Sequence, residues 1–254
     1  MFLGRTGFAR MAAVAVAGAS CLAAVACGGS AASSLSTAAR ATSTSTPDPL
    51  ASLTASEVAT AAFDNLKAAS SLTMAGSVVD SGNTEAVNFG LKPGQGCEGT
   101  ITESNEGSVK LIVIGTTAYY SPSAQAWKAQ GGSRGSAIAA LVNGRYIKTS
   151  TSDSSVSGLA NVCDLDQQVA PQSAAGKFTK GKLTTLEGTR VLLLLDPSEG
   201  DYYVTDTSKP EIVEVMNTKD TGGGTGKVDF AVGARVTLAA PPASQVIDGS
   251  TLGL

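Results

Sequence analysis

The sequence predicts an α+β domain in which one amphipathic helix precedes an antiparallel β-sheet. Three observations carry that prediction. A helix-start signal at Thr54 opens a stretch whose apolar residues recur about four apart. Beyond it the apolar spacing falls to two. The chain's 29 glycines, with abundant Ser and Thr, favour many short strands and turns over a helical bundle.

The first fifty residues stand apart from that domain. Arg5 and Arg10 form a basic start, and Met11 to Ala26 carries no charge, which is the pattern of an export signal. Sixteen helical residues would span only about 24 Å, short of the roughly 30 Å hydrocarbon core, so a permanent transmembrane helix is disfavoured. The segment ends in Ala24-Val25-Ala26-Cys27-Gly28-Gly29-Ser30, which resembles a lipobox, with Cys27 as the acylated first residue of the mature protein. Ala24 departs from the commoner Leu at that position. Cys21 fits less well, because apolar sequence continues beyond it. Two or three acyl chains on one cysteine anchor a protein firmly where a single chain does not. Residues 1–26 are therefore read as a lipoprotein signal peptide. Residues 27–50, almost all Ala, Ser, Thr and Gly with Pro47 and Pro49 at the end, are read as a flexible tether with a reach of roughly 25 Å. Residues 51–249 are the folded domain.

Within the domain, Thr54 and Glu57 form a capping box and Leu53 and Val58 a hydrophobic staple. Val58, Ala62, Leu66 and Ala69 share one side of the helix, with Phe63 near its edge. Strands are predicted at Met74 to Asp80, Thr84 to Leu91, Cys97 to Glu103 and Ser108 to Ile114, joined by short turns that imply an antiparallel meander. A fifth strand contains Tyr119 and Tyr120 before a Pro122 turn and Trp127. Helix-like stretches at Ser136 to Val142 and Gly158 to Val169 are expected to cross one face of the sheet. Strands resume at Val191 to Asp196, Asp201 to Thr205, Ile212 to Asn217, Lys227 to Val232 and Arg235 to Leu238, followed by Pro241-Pro242 and a polar tail.

The order of these parts resembles the LprG and LppX group of actinobacterial lipoproteins, whose fold is similar to the lipoprotein carrier LolA. The resemblance rests on the signal and Cys27, the helix Thr54 to Ala69, Gly99-Thr100-Ile101, Val109 to Ile114 and Gly115-Thr116-Thr117-Ala118-Tyr119-Tyr120. Trp127, Leu186-Glu187-Gly188-Thr189-Arg190-Val191 and Lys209-Pro210-Glu211-Ile212 extend it over the mature domain. It implies a strongly bent antiparallel sheet, a half-barrel, with helices covering the concave face around an apolar cavity for acyl chains. The departure is the richness of the crossing segment in Ala, Gly and Ser, which leaves open whether such a cavity is large or filled.

Composition narrows the chemistry. The chain contains no histidine, which excludes Ser-His-Asp and Cys-His catalysis and the commonest zinc ligand. With Cys21 and Cys27 assigned to the leader, Cys97 and Cys163 remain and are expected to form a disulfide in an oxidising compartment. Gly94-Gln95-Gly96-Cys97-Glu98-Gly99 matches a dinucleotide fingerprint in letters only, because a strand follows it where a helix is required. Thr221 to Val228 lacks the first glycine and the hydroxyl of a phosphate loop. Asp164 and Asp166 read as a solvated turn. No catalytic residue, metal site or cofactor is assigned, and the chain is expected not to be an enzyme. Without residues 1–26 it keeps 16 basic and 21 acidic side chains, a net charge of −5, which argues against a nucleic-acid partner.

Two functions remain. In the first, the anchored protein binds lipid or lipoglycan acyl chains, with transfer as a further step, in a cavity lined by Phe89, Ile101, Leu111, Val113, Leu141 and Leu193. In the second, the same fold with a closed core is a cell-surface interaction or sensory module with an envelope protein as partner. In both, the location is the extracytoplasmic face of the cell membrane.

Overall fold

The computed structural model describes residues 48–166, 177–197, 200–218 and 224–252. The signal, Cys21, Cys27, the tether up to Pro47, Val169 at the end of the second helix-like stretch, Ser198-Glu199 and Thr221 to Gly223 lie outside the described residues. The elements run α1 (Ala55–Lys67), β1 (Leu72–Asp80), β2 (Asn83–Lys92), β3 (Gly96–Glu103), β4 (Gly107–Ile114), β5 (Thr117–Pro122), α2 (Ala124–Val142), β6 (Tyr146–Ser150) and α3 (Ser157–Ala160). A 3-10 turn at Asn161–Cys163 follows. The second half contains β7 (Thr179–Leu186), β8 (Thr189–Asp196), β9 (Gly200–Thr205), β10 (Ile212–Asn217), β11 (Thr225–Val232) and β12 (Val246–Asp248).

The 12 strands of the described residues form one open sheet in the order β12-β6-β5-β4-β3-β2-β1-β11-β10-β9-β8-β7. The sheet is strongly curved, and the helices cover its concave face. Among the described residues every pairing is antiparallel except β12 with β6, which is parallel.

The capping box predicted at the start of α1 is present. The Thr54 hydroxyl accepts from the Glu57 N–H, and the Thr54 N–H donates to the Glu57 carboxylate at 2.7 Å. This satisfies two of the donors a helix start leaves open. Val58, Ala59, Ala62, Phe63 and Leu66 are buried, and Phe63 meets Phe178 and Tyr202 with ring centroids 6.1 and 5.7 Å away. Just before the helix, Leu50 is buried, and the Lys180 ammonium donates to its carbonyl at 2.6 Å.

Several parts of the chain depart from the sequence prediction: α2 begins at Ala124, ahead of the expected Ser136, and the stretch from Gly158 is α-helical only through Ala160 before a 3-10 turn to Cys163. Tyr146–Ser150 and Thr179–Leu186 are strands, although their mixed polar composition masks any apolar alternation. Arg235 to Leu238 is not a strand. The preceding β11 already has β1 and β10 on its two sides, so the chain turns away at Gly233, with φ of 74°, and crosses the convex face of the sheet. A Cβ placed on Gly90, which points to that face, would lie 3.0 Å from a Val236 methyl, showing how closely this strap follows the sheet. The strap ends in β12, where the polar tail supplies an edge strand.

Helix α2 is two helical pieces separated by Gly132, whose φ of 54° and ψ of −125° lie outside the helical region. The second piece folds back on the first. A Cβ on Gly135 would collide with the Trp127 carbonyl oxygen, so only glycine permits this approach.

Candidate functional site

The concave face is built from rungs of directly opposed residues. One rung crosses eight strands as Phe230, Met74, Phe89, Gly99, Leu111, Tyr120, Ile147 and Ile247. Gly99 has no side chain because the Phe89 ring occupies that space. Toward one end lies the rung Val232, Leu72, Leu91, Cys97, Val113 and Ala118; toward the other lies Val228, Gly76, Val87, Ile101, Val109 and Pro122. Period-two alternation places all three sets on the same side of the sheet.

The two ends of this apolar face differ. At the first end, Cys97 is bonded to Cys163, with Sγ–Sγ of 2.05 Å, which fastens the crossing segment to β3. Val156, Leu159, Val162 and Leu165 of that segment are buried in the same core. At the other end the next rung contains two carboxyl groups, Glu85 opposite Glu103. Burial, and then the neighbouring Glu103 carboxylate, push the Glu85 carboxyl up to about 7. Glu103 is also raised, by burial first and then by Glu106. Near neutral pH the Glu85 carboxyl is therefore partly protonated, and its protonated form can donate as well as accept hydrogen bonds.

Four of the six proposed lining residues come together on this face. Phe89, Ile101, Leu111 and Val113 are buried on three adjacent strands. Leu141 and Leu193 do not join them. Leu141 is 61% exposed, because the break at Gly132 resets the helical phase and turns Val142 and Gly135 inward instead. Leu193 lies on the convex side, opposite Tyr203 and against Gly181, while Leu192 and Leu194 face the core opposite Val204 and Tyr202. A run of five apolar residues, Val191 to Leu195, hides this alternation in the sequence.

The carboxyl pair escaped the sequence reading, although its signal was there. Glu85 has the same parity as Val87, Phe89 and Leu91, and Glu103 the same as Ile101. Pairing the two strands in register is enough to bring both acids to the apolar face. Elsewhere, Arg190 pairs with buried Asp206 at 2.9 Å, and Lys227 bridges Glu214 and Asp229 at 2.9 and 3.0 Å. The Arg190–Asp206 and Lys227–Glu214 pairs tie neighbouring strands of the second half together, and Lys227–Asp229 lies within β11.

No protein-family model matches the sequence, and the search of curated proteins gave no significant match. Solved structures do. LprF from Mycobacterium bovis aligns with 74% of this chain and 96% of its own, at 14% sequence identity and a TM-score of 0.50. The fold is that of LprF. At this identity the likeness to LprF concerns the fold alone. The lipoprotein LppX of Mycobacterium tuberculosis aligns with 73% of this chain and 98% of its own, at 12% identity and a TM-score of 0.43. A LolA-superfamily protein of Nitrosomonas europaea aligns with 76% of this chain and 96% of its own, at 9% identity and a TM-score of 0.24.

Proposed function

We propose that this chain is an extracytoplasmic lipoprotein, anchored through Cys27, that binds lipid or lipoglycan acyl chains on the concave face without chemical conversion. Residues 1–26 would direct export, residues 27–50 tether the chain and residues 51–249 carry the ligand. The supporting observation is the concave face itself: three apolar rungs of an open curved sheet, ending in a carboxyl pair.

The physical basis is shielding. Removing acyl methylenes from water is worth about 0.8 kcal/mol each, so a partial chain of contacts retains a diacyl lipid strongly. Glu85 and Glu103 offer hydrogen bonds to a polar headgroup at the end of that surface. Release onto a second membrane would complete a transfer cycle.

A second reading also has an observation behind it. Leu72, Phe89, Leu91 and Leu111 are each at most 1% exposed, as in a core filled by the protein's own side chains. That reading makes the domain a cell-surface interaction or sensory module.

Organic extraction and mass spectrometry of the protein purified from its host without detergent separates the two. Stoichiometric lipid, reduced in Leu111→Trp with the fold intact, supports binding. Repeated absence of lipid overturns binding in favour of the module. Separately, Cys27→Ser should release the protein from the membrane or leave it unprocessed; an unchanged membrane-bound mature form would refute the anchor.

A further inference from the structure

Charge is unevenly distributed along this chain. Between Glu106 and Asp153 there is no acidic residue, while Lys110, Lys128, Arg134, Arg145 and Lys148 all fall in that interval. The remainder of the mature chain holds all 21 acids. The interval is a structural unit, comprising adjacent strands β4, β5 and β6 together with α2.

Three of those cations gather on α2 and its exit. Arg134 and Leu141 lie seven apart, two turns along the second helical piece, so they share its outer side, while half-buried Ile138 packs against the core at the edge of that side. Arg145 extends the outer side: its guanidinium donates to the Leu141 and Val142 carbonyl oxygens at 2.9 and 3.0 Å, which holds it beside Leu141. The fold-back at Gly132 brings the first piece alongside. The Cβ position of Gly135 lies 3.4 Å from the Lys128 backbone nitrogen, placing Lys128 next to Arg134. Lys128 and Arg134 are exposed, and among the described residues none of the three cations forms an ion pair, unlike Arg190 and Lys227. At the same surface Leu141 exposes more of its side chain than any other large hydrophobic residue described.

An exposed leucine set among unpaired cations is the chemistry of an interfacial anchor. The apolar side chain enters the acyl boundary while the cations meet anionic headgroups. We propose that the outer surface of α2, formed by Lys128, Arg134, Leu141 and Arg145, docks on an anionic lipid bilayer. The charge asymmetry favours an orientation that presents α2 to the bilayer.

The test uses the whole mature chain with Cys27→Ser, so that no acyl group contributes. Co-sedimentation with vesicles of equimolar phosphatidylglycerol and phosphatidylcholine is compared with pure phosphatidylcholine. Binding is expected only to the anionic vesicles and should weaken with salt. Arg134→Glu should reduce it about twenty-five-fold, two unit charges at about fivefold each. Leu141→Ser should reduce it about tenfold. Lys209→Glu, on the exposed turn between β9 and β10, should change it less than about twofold, since it leaves the patch intact. Absence of binding, equal binding to both vesicles, or an equal loss with Lys209→Glu would each overturn the proposal. Unchanged circular dichroism verifies the fold of each variant. Lipid extracted from the same preparations reports independently on the concave face, so either idea can fail without the other.

Discussion

Replacing Glu85 with Gln should stabilise the domain at alkaline pH and leave it unchanged in acid. Because burial raises the Glu85 carboxyl from 4.5 to about 7, the folded state favours its protonated form. Ionisation therefore costs stability: nothing below about pH 4.5, increasingly through the interval to 7, and the full amount above it. Such a shift corresponds to about 3 kcal/mol without screening; partial solvent contact reduces this to roughly 1–2 kcal/mol. Gln keeps the shape and hydrogen-bonding capacity while removing the charge, so the variant should gain that amount at pH 8. Urea unfolding at pH 4.5 and pH 8, followed by fluorescence of the single Trp127, measures both values with the slope as a check on two-state behaviour. An equal gain at both pH values, or a loss at pH 8, would refute the account of Glu85 as a buried acid repelled by Glu103.

Two further substitutions probe the cover of the concave face. Gly135→Ala should cost about 1–3 kcal/mol in urea unfolding, because its methyl meets the Trp127 carbonyl oxygen, whereas Gly131→Ala, with open space around it, should cost nothing. Joint replacement of Cys97 and Cys163 by Ala should cost up to about 4 kcal/mol, the loop entropy for a sequence separation of 66. Intact mass under non-reducing conditions checks the parent protein for the loss of two hydrogens.

The legible parts of the fold were those where local chemistry and tertiary role agree. Thr54 and Glu57 announce α1 because the capping box is made within four residues. The strands from β1 to β4 announce themselves because one side is buried and the other is wet, so Val87, Phe89 and Leu91 alternate with polar or small neighbours. Where that contrast disappears, so does the signal. Leu193 sits in a uniformly apolar run, and β7 has polar residues on both sides. β12 consists of three residues whose strand character comes entirely from pairing with β6, which no local pattern encodes. For the candidate site, parity alone placed Phe89, Ile101, Leu111 and Val113 together. The position of Leu141 depended on a single glycine torsion at Gly132, and the acid pair depended on register between two strands.

The strap over the convex face has a mechanical consequence. From the end of β11 to the start of β12 it must pass seven strand-to-strand steps, about 34 Å even on a flat sheet. The fourteen residue steps available reach at most about 50 Å, and Pro241-Pro242 removes part of their freedom to fold up. The strap is thus drawn to well over half of its contour. Because it lies on the outside of the bend, tighter curling of the sheet lengthens its path while flattening slackens it. It acts as a check-rein on the strands from β11 to β12, leaving them free to flatten but setting a limit on how tightly they can curl around whatever the concave face holds.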